Sequence, residues 1–175
     1  VSVSDARQRF LPVRVLLFSI LVPGVVAGCV PWVLWRTFPA DFDPGWLRFA
    51  GMLVMGCGIG FYVISAVAFL REGRGTPAIY FTRPLRGLIG EEPGTLVAGL
   101  LYSTTRNPMY LAVIQFVLGA GIVTGRWAIL AYFILLSIFF HCVVVLIEEP
   151  HLRKTFGTSY EAYTKRVPRW FRFLP

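Results

Sequence analysis

Four uncharged runs divide the chain. Val15–Trp35 has 21 residues without a charge, Phe49–Leu70 has 22, Pro108–Gly125 has 18 and Trp127–Ile147 has 21. At about 1.5 Å per helical residue the longer runs reach roughly 30 Å, the thickness of a bilayer's hydrocarbon core. The pattern predicts an all-α integral membrane bundle of about four transmembrane helices, with an interfacial amphipathic segment after the last one. Pro23 and Pro31 should kink the first span, which a helix packed among others in a membrane tolerates. Residues 36–48 (RTFPADFDPGWLR) form a turn-rich connection that sets Trp46 at interfacial depth.

In the second span Gly56 and Gly60 make a GxxxG pair, which predicts close helix packing there. The 36 residues of 71–106 are broken by charges, glycines and prolines and cannot span. Within them 90–94 is a turn bearing the solvated Glu91 and Glu92, and 95–102 is a short interfacial or re-entrant piece. Gly119, Gly121 and Gly125 mark the exit of the third span, so the third and fourth runs should form a hairpin with a tight turn. In the tail, Leu152, Phe156, Tyr160 and Tyr163 recur at helical spacing, interrupted by Gly157, with Lys and Arg between them.

Composition changes this picture little. Hydrophobic residues at 56%, charged residues at 15% and a mean hydropathy of +0.66 exclude an ordinary soluble domain. The net charge of +8 would suit a nucleic-acid partner, but its distribution argues otherwise. With four spans, one side holds Arg7, Arg9, Arg14, Arg71, Arg74, Arg83, Arg86, Arg106, Arg153, Lys154, Lys165, Arg166, Arg169 and Arg172, and the other only Arg36, Arg48 and Arg126. Fourteen against three makes the first side cytoplasmic, with both termini there, and accounts for the charge without nucleic acid. The first apolar run is longer than a signal-peptide core and lacks a small-residue cleavage site, so it is expected to be retained. Cys29, Cys57 and Cys142 lie in apolar runs without metal-type spacing, so they read as small buried residues and no metal site is expected.

Candidate chemistry gathers on the basic side. Asn107 and Pro108 read as a helix start, and with Arg106 they offer positive charge to a carboxylate or phosphate. An arginine at the membrane surface beside a cap is the plainer alternative. Glu148 and Glu149 close the fourth span, where acids oppose the helix dipole, and Pro150 is expected to end that helix. They would hold a bound cation or, in the plainer view, pair locally with Arg153 or Lys154. His141 lies two turns earlier and is either a core residue or a general base facing a cavity.

RNPMY at 106–110, followed by EEPHLRKTFGTSYEAYTKRVPRW at 148–170 and preceded by GRGTPA at 73–78, resembles the isoprenylcysteine carboxyl methyltransferase and phospholipid methyltransferase superfamily. The resemblance covers roughly residues 73–170. It implies a membrane methyltransferase using S-adenosylmethionine at the cytoplasmic face of, by likeness to bacterial members, an inner membrane. The chain would be a single membrane domain, with a two-span part at 1–72 and a catalytic core at 73–175 made of the connection, the hairpin and a C-terminal lid. Arg106, Asn107, Pro108 and Tyr110 match one half of the family's cofactor motif and Glu148 and Glu149 the other, while Tyr160 and Tyr163 belong to the lid. Many members carry a glycine where this chain has Leu100. The eukaryotic carboxyl methyltransferases carry an arginine near the position of Val144 and Val145, so a prenylcysteine carboxylate is not implied as acceptor.

Methyl transfer from a sulfonium is an in-line displacement that needs alignment and exclusion of water. A carboxylate or thiolate acceptor hardly needs a base, whereas an amine would pass its proton to Glu149 or His141. The acceptor would be a lipophilic or small molecule, entering sideways from the bilayer if lipophilic; the sequence leaves the oligomeric state open. Two alternatives stand beside this: an NADPH-dependent membrane reductase of related architecture, and a non-catalytic membrane partner.

Overall fold

The computed structural model describes residues 11–73 and 94–171. Residues 82–87 and 90–93 with Glu91 and Glu92, most of GRGTPA, and Arg7, Arg9 and Arg172 lie outside the described residues. All regular structure among the described residues is helical. The first span is α1 (Leu11–Leu21), a π-helical segment (Gly24–Cys29) and α2 (Val30–Thr37), an apolar stretch running from Val15 to Thr37. Pro23 stands at the head of the π segment and Pro31 in the first turn of α2, so the two prolines mark the junctions. Each lacks the N–H that an uninterrupted α-helix would need. The second span is α3 (Leu47–Ala68), extended by a π segment (Phe69–Gly73). Beyond the undescribed segment come a 3₁₀ turn (Leu100–Ser103), α4 (Pro108–Thr124), α5 (Trp127–Val143), a third π segment (Val144–Glu148) and α6 (Glu149–Arg166). Three helices are long and apolar enough to cross a membrane, and α4 is a shorter apolar one.

Pro150 does not end the fourth helix. Helical backbone continues from Trp127 to Arg166, with the π segment immediately before the proline and Pro150 in the first turn of α6. At the head of a new helical register its missing N–H has no intrahelical partner to lose. The interruption comes instead at Gly157, whose φ of 49° and ψ of −126° turn the chain sharply. Leu100 also has a positive φ, 49°. That conformation favours glycine, which is what many members of the resembled superfamily carry there.

Close packing of α3 on α4 runs through Gly51 and Gly58, not through the Gly56–Gly60 pair. A Cβ at Gly58 would lie 2.8 Å from the Ala112 carbonyl, and one at Gly51 would lie 2.9 Å from Val123 Cγ2. Gly56 and Gly60 have open space beside them. GxxxG spacing places two glycines on one face without saying which face meets a neighbour. Around this seam Val113, Val117, Ile129, Leu136 and Phe140 form the buried core, with Val26, Tyr62 and Tyr110 packed against it. Outward-facing Leu53, Leu135 and Leu146 are 70%, 66% and 70% exposed, which is the natural arrangement of a bundle whose solvent is lipid. Cys29, Cys57 and Cys142 are exposed as well, contrary to the expectation of burial. In a bilayer an apolar sulfhydryl has no need to turn inward.

The α4–α5 hairpin closes as expected through Gly125, at φ 64°. Its turn is clasped by the loop after α2. Asp41 and Phe42 donate backbone N–H bonds to the Gly125 carbonyl, and Asp41 Oδ2 accepts from the Trp127 N–H at 2.8 Å, satisfying the exposed start of α5.

Candidate functional site

At the opposite end of the hairpin, the start of α4 and the junction of α5 with α6 meet. Asn107 occupies the N-cap position of α4 and Pro108 its first turn, but the Asn107 side chain makes no cap. Its Nδ2 donates to the Arg169 carbonyl at 2.9 Å, while the Arg106 N–H donates to the Pro168 carbonyl and Thr105 Oγ1 to the Arg169 carbonyl. Residues 105–107 thus bind the returning C-terminal strand. Nearby, Tyr163 ties α6 to the 3₁₀ turn, its hydroxyl donating to the Tyr102 carbonyl at 2.6 Å.

Glu149 is the hub of this end, 3% exposed. Arg169 grips it with two donors, Nε to Oε1 at 2.6 Å and Nη2 to Oε2 at 3.1 Å. Arg106 Nη1 reaches Oε1 at 3.0 Å, and the more exposed Arg153 lies 3.7 Å from Oε2. A fork-on-carboxylate pair of this kind is among the stronger polar contacts a protein makes. The hydrogen bond with Glu149 raises Arg169 above the ordinary guanidinium range, its own partial burial working against that. Glu148 points differently: its Oε2 accepts from the Tyr110 hydroxyl at 2.7 Å, and the Tyr110 ring rests against Phe140, 4.7 Å between centroids.

One cavity joins these groups. Arg106, Asn107, Tyr110, Glu148, Glu149, Tyr160 and Tyr163 all border it, and its apolar remainder runs up between the spans. Arg106 Nη1 donates weakly to the Tyr160 hydroxyl at 3.4 Å, while Arg106 Nε is buried without a hydrogen-bond partner. The polar end of the cavity therefore brings together a guanidinium with an unused donor, two carboxylates and aromatic rings. Such a lining suits a molecule bearing both charges and a planar part.

His141 is not brought into this cavity. It is exposed on α5, and its Nδ1 accepts from Trp170 Nε1 at 3.1 Å. Seven residues separate it from Glu148 in sequence, but the π segment between them shifts the register, so the shared face expected of an unbroken helix is lost. Glu149, engaged by three guanidinium groups, is likewise poorly suited to take a proton. The base role that an amine acceptor would ask of either residue is thus met by a His141 outside the cavity lining and a Glu149 already in ion pairs. Arg169 was the missing member of the site. Nothing in the sequence distinguishes it from the other basic residues of the tail; only its place after Val167-Pro168, where the chain leaves α6, hints at a return.

A sequence model of the phospholipid methyltransferase family matches residues 46–159, well over half of the 175-residue chain. The protein-S-isoprenylcysteine O-methyltransferase of Schizosaccharomyces pombe is 31% identical over 80 residues, covering 46% of this chain and 34% of that protein. The Delta(14)-sterol reductase LBR of Gallus gallus is 29% identical over 130 residues, covering 70% of this chain and 20% of that protein. The matches thus span only about a third and a fifth of those relatives' own lengths. No solved structure matches. With the motif halves assembled at one end of an apolar helical bundle and the family match extending across three of its spans, the chain belongs to the phospholipid methyltransferase family.

Proposed function

We infer that the protein is a membrane methyltransferase that takes its methyl group from S-adenosylmethionine, bound at the cytoplasmic end of the cavity, and delivers it to a lipophilic or small acceptor bearing a carboxylate, amine or thiol. The observation that carries this reading is one cavity bordered by Arg106, Glu148 and Glu149 and lined beyond them by apolar side chains. The residues present fit the cofactor. Arg106 Nε, buried and unpartnered, is a donor for its carboxylate. Glu148, positioned by the Tyr110 hydroxyl, is an acceptor for its ammonium. Glu149 acts indirectly, fixing Arg106 and tying the C-terminal strap through Arg169. Tyr160 and Tyr163 hold the lid of α6 over the site and exclude water.

When bound, S-adenosylmethionine supplies a methyl group on a sulfonium centre, activated toward a nucleophile. The chain's own contribution is then orientation and dryness: the strap on residues 105–107 closes the polar end, and the apolar walls keep water from the other. An NADPH-dependent reductase, the reading that similarity to a sterol reductase keeps alive, fits less well. A second phosphate-bearing ligand group would meet Glu148 and Glu149, with Arg106 as the lone arginine on the cavity wall among the described residues.

The test is equilibrium binding of labelled S-adenosylmethionine to the purified full chain in nanodiscs. Micromolar binding that Glu148→Ala weakens at least tenfold is the expected result. A wild-type protein that binds no S-adenosylmethionine, or binds it equally well without Glu148, would overturn the assignment.

A further inference from the structure

We propose that the first span, through Val22 and Val26, is the acceptor-specificity wall of this protein, holding a linear apolar chain attached to the group that is methylated. This rests on the methyltransferase reading and adds to it which residues choose the acceptor.

Phe18, Val22 and Val26 border the cavity together with Pro23. Their four-residue spacing places them on one face of the span, over about 12 Å of rise. The span stands wholly before residue 46, where the family match begins. Opposite it the cavity is walled by Val113 of α4 and by Phe140 and Val144 of α5 and its π extension. The polar group on this stretch, the Tyr62 hydroxyl, is committed: it donates to Ser19 Oγ at 2.6 Å, and Ser19 Oγ donates to the Val15 carbonyl. The gallery therefore offers hydrocarbon contact along its length and converges on Tyr110, Glu148 and Arg106 at its polar end. A chain lying along Val22 and Val26 would bring its polar head to the charged walls.

The span is also built to be adjusted. Pro23 and the π segment from Gly24 to Cys29 interrupt its regular hydrogen bonding beside the wall, and the wider π turn lets Val26 stay in line with Phe18 and Val22. A π segment in a helix commonly accompanies a functional surface, and here it coincides with the cavity border.

The test uses full-length protein in nanodiscs and two probe pairs, dihexanoyl against dipalmitoyl phosphatidylethanolamine and N-acetyl-S-geranyl-cysteine against N-acetyl-S-farnesyl-cysteine. The two pairs distinguish an acyl from a prenyl source of the chain. Val26→Phe and Val22→Phe fill the gallery, Val26→Ala widens it, and binding of labelled S-adenosylmethionine checks each variant's fold. The long-to-short ratio of kcat/KM should fall about tenfold in the filled variants and rise in Val26→Ala, with cofactor affinity unchanged. A ratio that stays constant across all three variants overturns the proposal. So does failure of the wild type to methylate any of the four probes while still binding the cofactor, an outcome that leaves the methyltransferase reading intact. A wild type that does not bind the cofactor overturns both.

Discussion

Adjacent in sequence, Glu148 meets the Tyr110 hydroxyl and Glu149 the guanidinium groups of Arg106 and Arg169, so substitution should separate them. Glu149→Gln leaves the guanidinium groups of Arg106 and Arg169 short of a partner, so it should lower stability by about 3 kcal/mol. Thermal unfolding in detergent would register that loss. Glu148→Gln, which removes the charge beside the Tyr110 hydroxyl, should weaken S-adenosylmethionine binding at least tenfold while lowering stability less than Glu149→Gln. Similar unfolding curves for the two variants would count against the division of labour. Arg169→Lys keeps the charge but loses the two-pronged grip, and should recover less than half of the binding lost in Arg169→Ala. Leu100 offers an improvement: at φ 49° and 46% exposed, it gives up little packing, so Leu100→Gly should stabilise the protein by about 1 kcal/mol. An unchanged or lower melting temperature would show that Leu100 is not strained. The pair of acids and Arg106 were legible in the sequence as opposite charges near one membrane face. Arg169 was not, because a long-range ion pair leaves no local spacing to read.

Among the elements, the hairpin of α4 and α5 followed from its hydrophobic runs and its glycine turn. The course of the tail did not. A proline after an apolar span ordinarily reads as a stop, and a π segment hidden in VVLIE turned it into a junction. The true bend is at Gly157, in a conformation that a side chain strains. Gly157→Ala has space for its methyl group but not the backbone, so it should cost about 2 kcal/mol and loosen α6 over the cavity. Faster hydrogen exchange confined to residues 158–170 would be the sign. The α3–α4 seam gives a second test at this scale. Gly58→Val forces a side chain against the α4 backbone and should lower stability by about 2–3 kcal/mol, while Gly56→Ala and Gly60→Ala should be nearly neutral. Equal effects at all three positions would mean that the seam runs elsewhere.

Across the whole molecule, two ends with different chemistry are separated by an apolar interior. One end joins Asp41 and Phe42 to the hairpin turn; the other gathers Arg106, Glu149, Arg169 and the strap. From the sequence's bias of arginine and lysine we propose that the second end faces the cytoplasm. In a variant lacking its three cysteines, Asp43→Cys should react with an impermeant thiol reagent in intact cells and Lys154→Cys only after permeabilisation; labelling of both in intact cells would refute that orientation. By itself the sequence determined the number and approximate limits of the apolar helices, the sidedness of charge and the family motif, because each is written in stretches of contiguous residues whose physics is local. Tertiary structure alone decided which glycines meet, that His141 stays outside the cavity, that the C-terminal strand returns to residues 105–107 and that Arg169 reaches Glu149. Those depend on helix rotation and register, which a single π turn resets and which no count of neighbours along the chain records.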